Sequence, residues 1–374
     1  MDAVLYRRAL RPLLFLLPPD TAHELAFAAL GPVEHLGWLR AVVRAAVGAP
    51  RGGPAGRTGS RIGVRRMGLD FPSILGLAGG FDKNARRPRA LAALGFGHLE
   101  LGTVTARAQQ ANPPPNLFRL PADRALVNRL GFPNEGAQRL AGRLRGSRAA
   151  VGVPIGVSIG KSRVVAVDDL EAVVADYLAA YDAVRDVADF VVVNVSSPNT
   201  AGLRTMQARD HARTLLSALR ARAAGSRLLV KIAPDLDDAQ LEDILAVVEE
   251  IRLDGVVATN TTIGRRELAT DPARVEAVGA GGLSGPPLRR RALEVVRRVR
   301  ARLGREIVVI GVGGIETAEH ALAHVRAGAD LVQMYTGFVY EGPLSAARIG
   351  RELARRVERE GAATIADLVG VEGV

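Results

Sequence analysis

Short apolar runs alternate with longer amphipathic stretches through most of the chain. The runs are rich in Val, Ile and Leu and lack regular polar alternation, which is typical of strands buried on both faces. We predict eight such strands, at residues 73–78, 98–104, 154–160, 190–195, 227–233, 255–260, 306–312 and 330–336. Helix-length stretches, for example 241–252 and 288–300, lie between most of them. Eight buried strands that alternate with helices predict an α/β fold class with a parallel (β/α)8 TIM barrel.

The first 45 residues follow a different pattern, which predicts a small N-terminal two-helix extension. The first helix contains the apolar run 13–17 beside several arginines, and the second begins at a capping box of Thr21 and Glu24 and ends near Gly31. The apolar run is too short to span a bilayer, and it lacks the long apolar region and cleavage site of a signal peptide. Such a pair could lie in a membrane interface or pack on the main domain, and the pattern leaves both interpretations open.

Gly, Pro and Arg dominate residues 46–60, which indicates a linker. We therefore divide the chain into an N-terminal helical segment at 1–45, this linker, and a barrel domain at 61–374. Residues 61–72 do not fit the pattern of a barrel strand. We predict that they form a small hairpin that closes the bottom of the barrel.

The amino-acid composition limits the kinds of functional site that the chain can contain. The 374 residues include no Cys, which excludes disulfides, thiolate metal sites and a cysteine nucleophile, and we predict no metal site. The formal net charge is +11, but the arginines are spread along the chain. The charge is consistent with a general preference for Arg, with an acidic membrane surface or with small anions. Nucleic acid is disfavoured as a partner because only 4% of the residues are aromatic and no stacking motif is visible.

Lysine is rare in this chain. Only Lys83, Lys161 and Lys231 occur among 50 Lys and Arg residues, and each lies just after or at the end of an apolar run. Lysine offers a compact ammonium where a guanidinium fork does not fit. One such lysine is weak evidence of function, but the coincidence of three favours functional roles among them.

Polar residues and glycines collect directly after the predicted strands. In a (β/α)8 barrel these positions lie at one mouth, where active sites form. The groups in chain order are 78–83 (AGGFDK), Thr103 with Thr105, 160–162 (GKS), 194–200 (NVSSPNT), Lys231, 259–262 (TNTT), 311–314 (GVGG) and 335–337 (YTG). Because unrelated loops would not sort in this way, the pattern predicts one site at the C-terminal mouth.

Glycine and asparagine indicate what this mouth binds. The loops 281–285 and 311–314 are glycine-rich, and they are either tight turns or a place where the backbone approaches a phosphorylated cofactor. A carboxamide both donates and accepts hydrogen bonds, so a group of asparagines suits a planar ligand with alternating N–H and C=O edges, such as a pyrimidine. The preference of Asn for turns explains single positions but not their grouping. Four of the eight asparagines lie in or near the mouth: Asn128, Asn194, Asn199 and Asn260.

Ordered blocks along nearly the whole chain resemble class 2 dihydroorotate dehydrogenase, the membrane-associated, quinone-linked flavoprotein of pyrimidine synthesis. The blocks are AGGFDK (78–83), LGTVT (101–105), FRL (118–120) with VNRLGF (127–132), NVSSPNTAGLR (194–204), KIAPDL (231–236), VVATNTT (256–262), GGLSGPPL (281–288) and IGVGGI (310–315). The two N-terminal helices, with His23 in AHEL, add to the match. The resemblance implies an FMN-binding barrel that oxidises dihydroorotate to orotate and passes electrons to a membrane quinone.

The resemblance also implies roles for individual residues. Ser197 matches the base that removes the C5 proton of dihydroorotate. Because a serine hydroxyl is a poor base, Thr200 and a water beneath Phe132 are expected to assist it. Hydride passes from C6 of the substrate to N5 of the flavin. Lys231 matches the position near the N1/O2 edge of the flavin, where an ammonium stabilises the reduced anion.

Three sets of binding positions follow from the same resemblance. The expected flavin-binding positions are Gly79, Gly80, Phe81, Asp82, Lys83, Thr103, Ser158, Asn194, Lys231, Thr259, Gly285, Gly314, Tyr335 and Thr336. The expected substrate-binding positions are Lys83, Asn128, Arg129, Leu130, Gly131, Phe132, Asn194, Asn199, Asn260 and Thr261. The expected quinone-access positions are His23 and Arg119. The resemblance further implies a monomer, peripheral to the cytoplasmic side of the cell inner membrane through its N-terminal helices.

Two positions depart from the family pattern. The family often has Asn where this chain has Ser158, so the contact of that position with the flavin is either a shorter direct one or one through a water. Pro133 follows Gly131 and Phe132 where the family usually continues with Asn. Proline removes a backbone donor and stiffens the loop, and we expect no loss of mechanism from it.

Three other functions are compatible with parts of the pattern. The soluble class of the same enzyme passes electrons to fumarate or NAD, but it usually uses Cys as base and lacks the N-terminal helices. A flavin-dependent tRNA-uracil reductase also relies on Cys, which this chain does not contain. A non-enzymatic anion- or RNA-binding barrel would be colourless when purified, whereas a tightly bound yellow cofactor counts against it.

Overall fold

A computed structural model describes residues 3–49, 60–223 and 225–373. Within these residues eight parallel strands form a closed barrel. The barrel strands are β1 (Leu75–Leu77), β2 (His98–Val104), β3 (Ile155–Ile159), β4 (Phe190–Asn194), β5 (Leu228–Ile232), β6 (Gly255–Ala258), β7 (Val308–Val312) and β8 (Leu331–Met334). Each strand pairs with the next along the chain, and β8 closes the barrel on β1. The predicted TIM barrel is therefore confirmed.

The predicted strands all occur, but several are shorter than the apolar run that indicated them. In β6 the ladder ends at Ala258, so Thr259 and Asn260 leave the sheet and enter the loop at the mouth. All residues of β2 are buried, including the polar residues His98, Glu100 and Thr103.

Helices cover the outside of the barrel. The two helices predicted from periodicity occur with shifted ends, at Asp238–Ile251 and Arg289–Leu303. The first begins earlier because Asp237 and Gln240 form a capping box. The other helices of this domain are Pro88–Ala93, Ala137–Ser147, Leu170–Val184, Arg209–Arg222, Pro272–Val278, Ala318–Arg326, Thr336–Glu341 and Ser345–Arg359. Short 3-10 turns lie at Pro121–Asp123, Arg148–Ala150, Leu203–Gln207, Pro286–Leu288, Ile365–Leu368 and Val371–Gly373.

The predicted hairpin is present at the bottom of the barrel. Its strands, Val64–Arg66 and Leu69–Phe71, pair antiparallel. Phe71 is fully buried, and its ring meets the ring of His98, the first residue of β2, at a centroid distance of 5.5 Å. The hairpin therefore closes the N-terminal end of the barrel and leaves the opposite mouth open.

A small antiparallel sheet, which the sequence did not predict, covers part of that mouth. Its strands are Leu117–Leu120, Ala125–Asn128 and Gly282–Ser284. We call these three strands the cap sheet. It brings Asn128 to the end of the barrel that the hairpin leaves open.

The N-terminal region contains more helix than the two predicted segments. Its helical segments are Ala3–Leu5, the π-helical Tyr6–Leu10, Arg11–Leu16, Pro19–Ala29, Gly31–His35 and Gly37–Val47. The capping box of Thr21 and Glu24 is wrong, because the second helix begins two residues earlier at Pro19, whose φ is already fixed for a helix start. Glu24 instead pairs with Arg86 at 3.0 Å.

The predicted linker is only partly described. Its first residues belong to the helix Gly37–Val47, which ends where Gly48 adopts a φ of 62°. Residues 50–59 lie outside the described part of the chain. The division into 1–45, 46–60 and 61–374 stays a prediction. No helix in the described ranges has the length and hydrophobicity needed to span a membrane.

Candidate active site

A cavity opens at the C-terminal mouth of the barrel, with an empty volume of about 1070 Å³ that includes open solvent. Residues from the ends of most barrel strands and from the cap sheet line it. Among the predicted site residues, the cavity lining includes Gly79, Gly80, Lys83, Thr103, Asn128, Leu130, Gly131, Phe132, Asn194, Ser197, Asn199, Lys231, Thr259, Asn260, Thr261, Gly285, Gly314, Tyr335 and Thr336. The sorting of polar residues to one mouth is therefore observed.

The candidate base, Ser197, lies on the loop that follows β4. It is buried, and its Oγ accepts a hydrogen bond from the backbone N–H of Asn199 at 3.2 Å. The same loop is fixed to its neighbour by Arg204, which donates to the backbone oxygens of Ser196 and Thr261 at 3.1 and 3.0 Å. Ser197 is thus held at the cavity wall with a donor directed at its oxygen.

The four asparagines form two hydrogen-bonded pairs. Asn199 donates to Asn128 Oδ1 at 2.8 Å, which joins the β4 loop to the cap sheet. Asn260 donates to Asn194 Oδ1 at 3.3 Å and to Ser196 Oγ at 2.9 Å. The predicted grouping therefore consists of two hydrogen-bonded pairs, which we call the asparagine network, rather than a set of independent turns.

This network fixes which amide atoms face the cavity. Asn194 donates to Thr103 Oγ1 at 3.0 Å, and Asn128 donates to the backbone oxygen of Gly282 at 3.2 Å. The backbone N–H of Ser196 also donates to Asn194 Oδ1 at 3.3 Å. Because a backbone N–H can only donate and a backbone carbonyl can only accept, the bonds to Ser196 and Gly282 set the orientations of the Asn194 and Asn128 carboxamides. The cavity therefore presents donors and acceptors in a fixed pattern.

The three lysines separate into two groups. Lys83 and Lys231 line the cavity. Burial lowers the pKa of Lys83, and the carboxylates of Asp20 and Asp82 oppose that shift. Lys161 lies elsewhere: its ammonium donates to the backbone oxygens of Ser162 and Val165, which serves the loop after β3.

Lys231 has a partner that sequence reasoning missed. Its ammonium donates to Glu100 Oε1 at 3.1 Å, and the side chains are 7% and 0% exposed. Glu100 lies in the middle of β2, in the run HLELGTV. A carboxylate within a strand predicted to be buried was the available signal.

Glycines and hydroxyls meet at another part of the cavity wall, near the ends of β7 and β8. Ser284 Oγ lies 2.8 Å from Thr336 Oγ1. Gly285 and Gly314 have φ values of 104° and 69°, which L side chains rarely adopt. A Cβ on Gly314 would lie 2.6 Å from Cβ of Arg289. The wall here consists of bare backbone and hydroxyls, the donor set that suits a phosphate.

Five of the positions predicted to be catalytic, flavin-binding or substrate-binding do not line the cavity. Ser158 lies behind Thr103, with 2.9 Å between the two hydroxyl oxygens. The Asp82 carboxylate accepts two backbone N–H groups of the loop that follows it, both at 2.8 Å, and burial raises its pKa. The ring of Phe81 packs among other aromatic rings. Thr200 Oγ1 is buried and has no hydrogen-bond partner among the described residues.

Arg129 is the fifth of these positions. Its guanidinium lies 4.8 Å from the centroid of the Phe118 ring and donates to the backbone oxygens of Pro115 and Val278, both at 3.0 Å. These contacts hold the side chain on the outer side of the cap sheet. Any contact of this position with a ligand in the cavity must therefore come from its backbone.

A second cavity, with an empty volume of about 1290 Å³, lies between the N-terminal helices and the barrel. Its lining is mostly apolar and includes His23 and Arg119. Burial and the positive charge of Lys83 lower the pKa of His23 to about 4, so its imidazole is neutral near pH 7. Arg119 donates to the backbone oxygens of Phe15 and Leu17 at 3.2 and 2.7 Å, which ties the first helix to the cap sheet.

The two cavities share part of their walls. Leu117, Leu126 and Tyr335 line both. Burial raises the pKa of Tyr335 to about 12, so its hydroxyl is protonated under ordinary conditions. A molecule in the second cavity would lie one side-chain layer from a molecule in the first.

Comparison with known proteins gives a consistent result. The family model for dihydroorotate dehydrogenase matches residues 62–357. A relative from Thermobifida fusca (strain YX), named dihydroorotate dehydrogenase (quinone), is 50% identical over 376 residues, covering 99% of this chain and 97% of its own. A relative of the same name from Rhodococcus opacus (strain B4) is 50% identical over 370 residues, covering 99% and 100%. The crystal structure of the Eimeria tenella DHODH in complex with ferulenol superposes with a TM-score of 0.81 at 33% identity, covering 96% of this chain and 98% of that one.

Proposed function

The chain belongs to the dihydroorotate dehydrogenase family, and from this premise we propose how its two cavities divide the reaction between FMN, dihydroorotate and a quinone. The activity of the chain is the flavin-dependent oxidation of dihydroorotate to orotate in pyrimidine biosynthesis, with a quinone as electron acceptor. The alternatives with a cysteine base or with no enzymatic activity are set aside. The proposal concerns the identity of the flavin, the roles of the residues and the placement of the protein in the cell.

FMN is the flavin that the mouth of the barrel would hold. Gly285, Gly314 and Thr336 would bind its single phosphate, since they provide bare backbone and a hydroxyl where a side chain does not fit. Gly79, Gly80, Thr103, Thr259 and Lys231 would contact the rest of the molecule. When bound, FMN accepts the hydride that leaves dihydroorotate and passes its electrons on to the quinone.

Ser197 would remove the C5 proton of dihydroorotate. A hydroxyl is a weak base, but the N–H of Asn199 that points at its oxygen at 3.2 Å favours the deprotonated form. The buried hydroxyl of Thr200, which has no hydrogen-bond partner in the described part of the chain, is available to pass the proton on, together with a water beneath Phe132. Burial of Ser197 keeps bulk water from competing for the proton.

The asparagine network would read the ring edge of the substrate. The hydrogen bonds between Asn128 and Asn199 and between Asn194 and Asn260 hold these amides before the substrate arrives. Lys83 would pair with the substrate carboxylate. Burial disfavours its positive charge, and an anionic ligand supplies a counter-charge within the cavity.

The second cavity would admit the quinone. Its wall is mostly apolar, with His23 and Arg119 as polar groups, and it shares Tyr335 with the flavin cavity. Several exposed apolar side chains lie on the surrounding helices, including Leu13 at 62% and Leu16 at 81% exposure. These side chains support a peripheral position at a membrane surface, from which a long-chain quinone enters. We propose that this surface is the cytoplasmic side of the cell inner membrane. We further propose that the protein acts as a monomer.

The observation that carries this assignment is the convergence of Ser197, Lys231 and the four asparagines on one cavity. The test is a steady-state assay of the purified protein with dihydroorotate against quinone, fumarate and NAD, combined with identification of the flavin released on denaturation. We expect FMN and turnover with quinone only. Release of FAD, or equal turnover with fumarate or NAD, contradicts the proposal.

A further inference from the structure

Glu100 is a charged residue that has no role in the reaction proposed for dihydroorotate, FMN and quinone. It lies at the centre of β2, it is fully buried, and it does not line the cavity. Burying a carboxylate is costly unless a charge or several hydrogen bonds compensate. Its only partner among the described residues is Lys231, because Glu100 Oε2 has no hydrogen bond there.

The surrounding backbone is shaped around this carboxylate. β2 and β5 are not neighbours in the barrel, so Glu100 and Lys231 meet across its interior. Gly79, just after β1, leaves the space that the carboxylate occupies: a Cβ there would lie 2.4 Å from Glu100 Oε1. A side chain at this position would displace the Glu100 carboxylate, so the glycine leaves room for the ion pair.

The pair has a consequence for Lys231. An ammonium in a buried site loses its proton more readily when it has no counter-charge, because burial penalises the charged form. A lysine ammonium has three N–H donors, and the bond to Glu100 uses one of them. The other two can point toward the cavity that Lys231 lines.

We propose that Glu100 is a positioning residue that keeps the Lys231 ammonium charged, and directed at the cavity, in both redox states of the flavin. This inference rests on the role proposed above for Lys231 beside the flavin. In the wild-type protein Lys231 then takes up no proton when the flavin is reduced. Without the carboxylate, Lys231 becomes neutral in the oxidised protein and regains its proton when the reduced flavin anion forms beside it.

Proton uptake on flavin reduction tests this directly. The purified holoprotein is titrated with a reductant and redox dyes from about pH 6 to about pH 9, and both the midpoint potential and the protons taken up are recorded. We expect E100Q to take up as much as one additional proton per flavin at the alkaline end, with a correspondingly steeper fall of potential with pH. E100D keeps the charge, so it should behave as wild type in both measurements.

The outcomes separate this inference from the proposed function. An E100Q potential that is only offset, with unchanged proton uptake, overturns the role of Glu100. A K231M variant whose potential equals that of wild type overturns instead the position of Lys231 beside the flavin. If E100Q does not retain flavin, the melting temperatures of the variants test the role of Glu100 instead. The double variant E100Q/K231M should then melt at a higher temperature than E100Q, since it lacks the buried lysine that has lost its counter-charge and must give up its proton on folding, and no gain in melting temperature contradicts the inference.

Discussion

Replacing Ser197 with Ala tests the assignment of the base with a matched control next to it in the chain. The Ser197 hydroxyl is 5% exposed and accepts one hydrogen bond, from the N–H of Asn199. Its removal leaves that N–H without an acceptor, which costs about 1 kcal/mol of folding stability. The variant leaves the proposed flavin-binding positions near Gly285 and Gly314 unchanged, so it should remain folded and yellow.

The expected effect on chemistry is much larger. General-base catalysis contributes roughly 10²–10⁴-fold, equivalent to roughly 3–5 kcal/mol of activation free energy. Because Ser197 is buried, bulk water cannot readily replace the missing hydroxyl, and we expect the upper half of that range, a loss of at least about 10³-fold. Stopped-flow reduction of the bound flavin by dihydroorotate measures this step without the quinone.

Ser196→Ala is the control. This serine is also buried, but it does not line the cavity, and it bonds instead to the side chains of Asn194 and Asn260. Its loss should weaken substrate affinity through those amides more than it slows the limiting rate. If Ser197→Ala reduces its flavin at the wild-type limiting rate, or if the two variants lose the same factor, Ser197 is not the base.

Three further predictions follow from other parts of the molecule. Lys83→Met should raise the dissociation constant of dihydroorotate roughly 10–100-fold, because it removes one charge-assisted hydrogen bond to the substrate. Lys161→Met should leave that constant unchanged, and both are measured by titrating the flavin absorbance with substrate. Deletion of residues 1–40 should spare reduction of the flavin by dihydroorotate but abolish its reoxidation by a long-chain quinone, and unchanged quinone turnover would refute the proposed quinone cavity. Burial lowers the pKa of the fully buried His324 to about 4. Between this pH and about 6.5 the histidine is protonated in the unfolded chain but not in the folded one, so the free energy of unfolding falls as the pH drops below about 6.5. His324→Gln should remove about 2 kcal/mol of the stability difference between pH 7 and pH 5 measured by chemical denaturation, and an unchanged difference would show that this histidine is not buried in its neutral form.

The barrel was predictable because a strand buried on both faces leaves a clear record in the sequence. The run that forms β4 is an example, since Phe190, Val191, Val192 and Val193 follow one another and all residues of the strand are buried. The site was predictable for a related reason: the residues that end a parallel strand meet at one mouth, so Asn194 and Lys231, neighbours in the ladder of β4 and β5, could be placed together without knowing any loop. The errors lie where the sequence gives only local signals, as at Thr21, where a favourable capping pattern lost to the proline two residues before it.

Pairs that meet across the barrel could not be predicted in this way. Periodicity indicates that a residue is buried but not which residue it faces, so Glu100 was indistinguishable from a tolerated polar residue until its distance to Lys231 was known.

The cap sheet was missed because its strands are short. In the proposed assignment, the hairpin formed by its first two strands nevertheless lies between the cavity for dihydroorotate and the cavity for the quinone. Arg119 on one strand lines the second cavity, and Asn128 on the other lines the first. Since Leu117 pairs with Asn128 and Leu126 pairs with Arg119, the two leucines that line both cavities are the cross-strand partners of those polar residues. In the proposed assignment this two-stranded ribbon, together with Tyr335, forms the wall between the substrate and the quinone, and its apolar side chains would exclude water from the space that electrons cross.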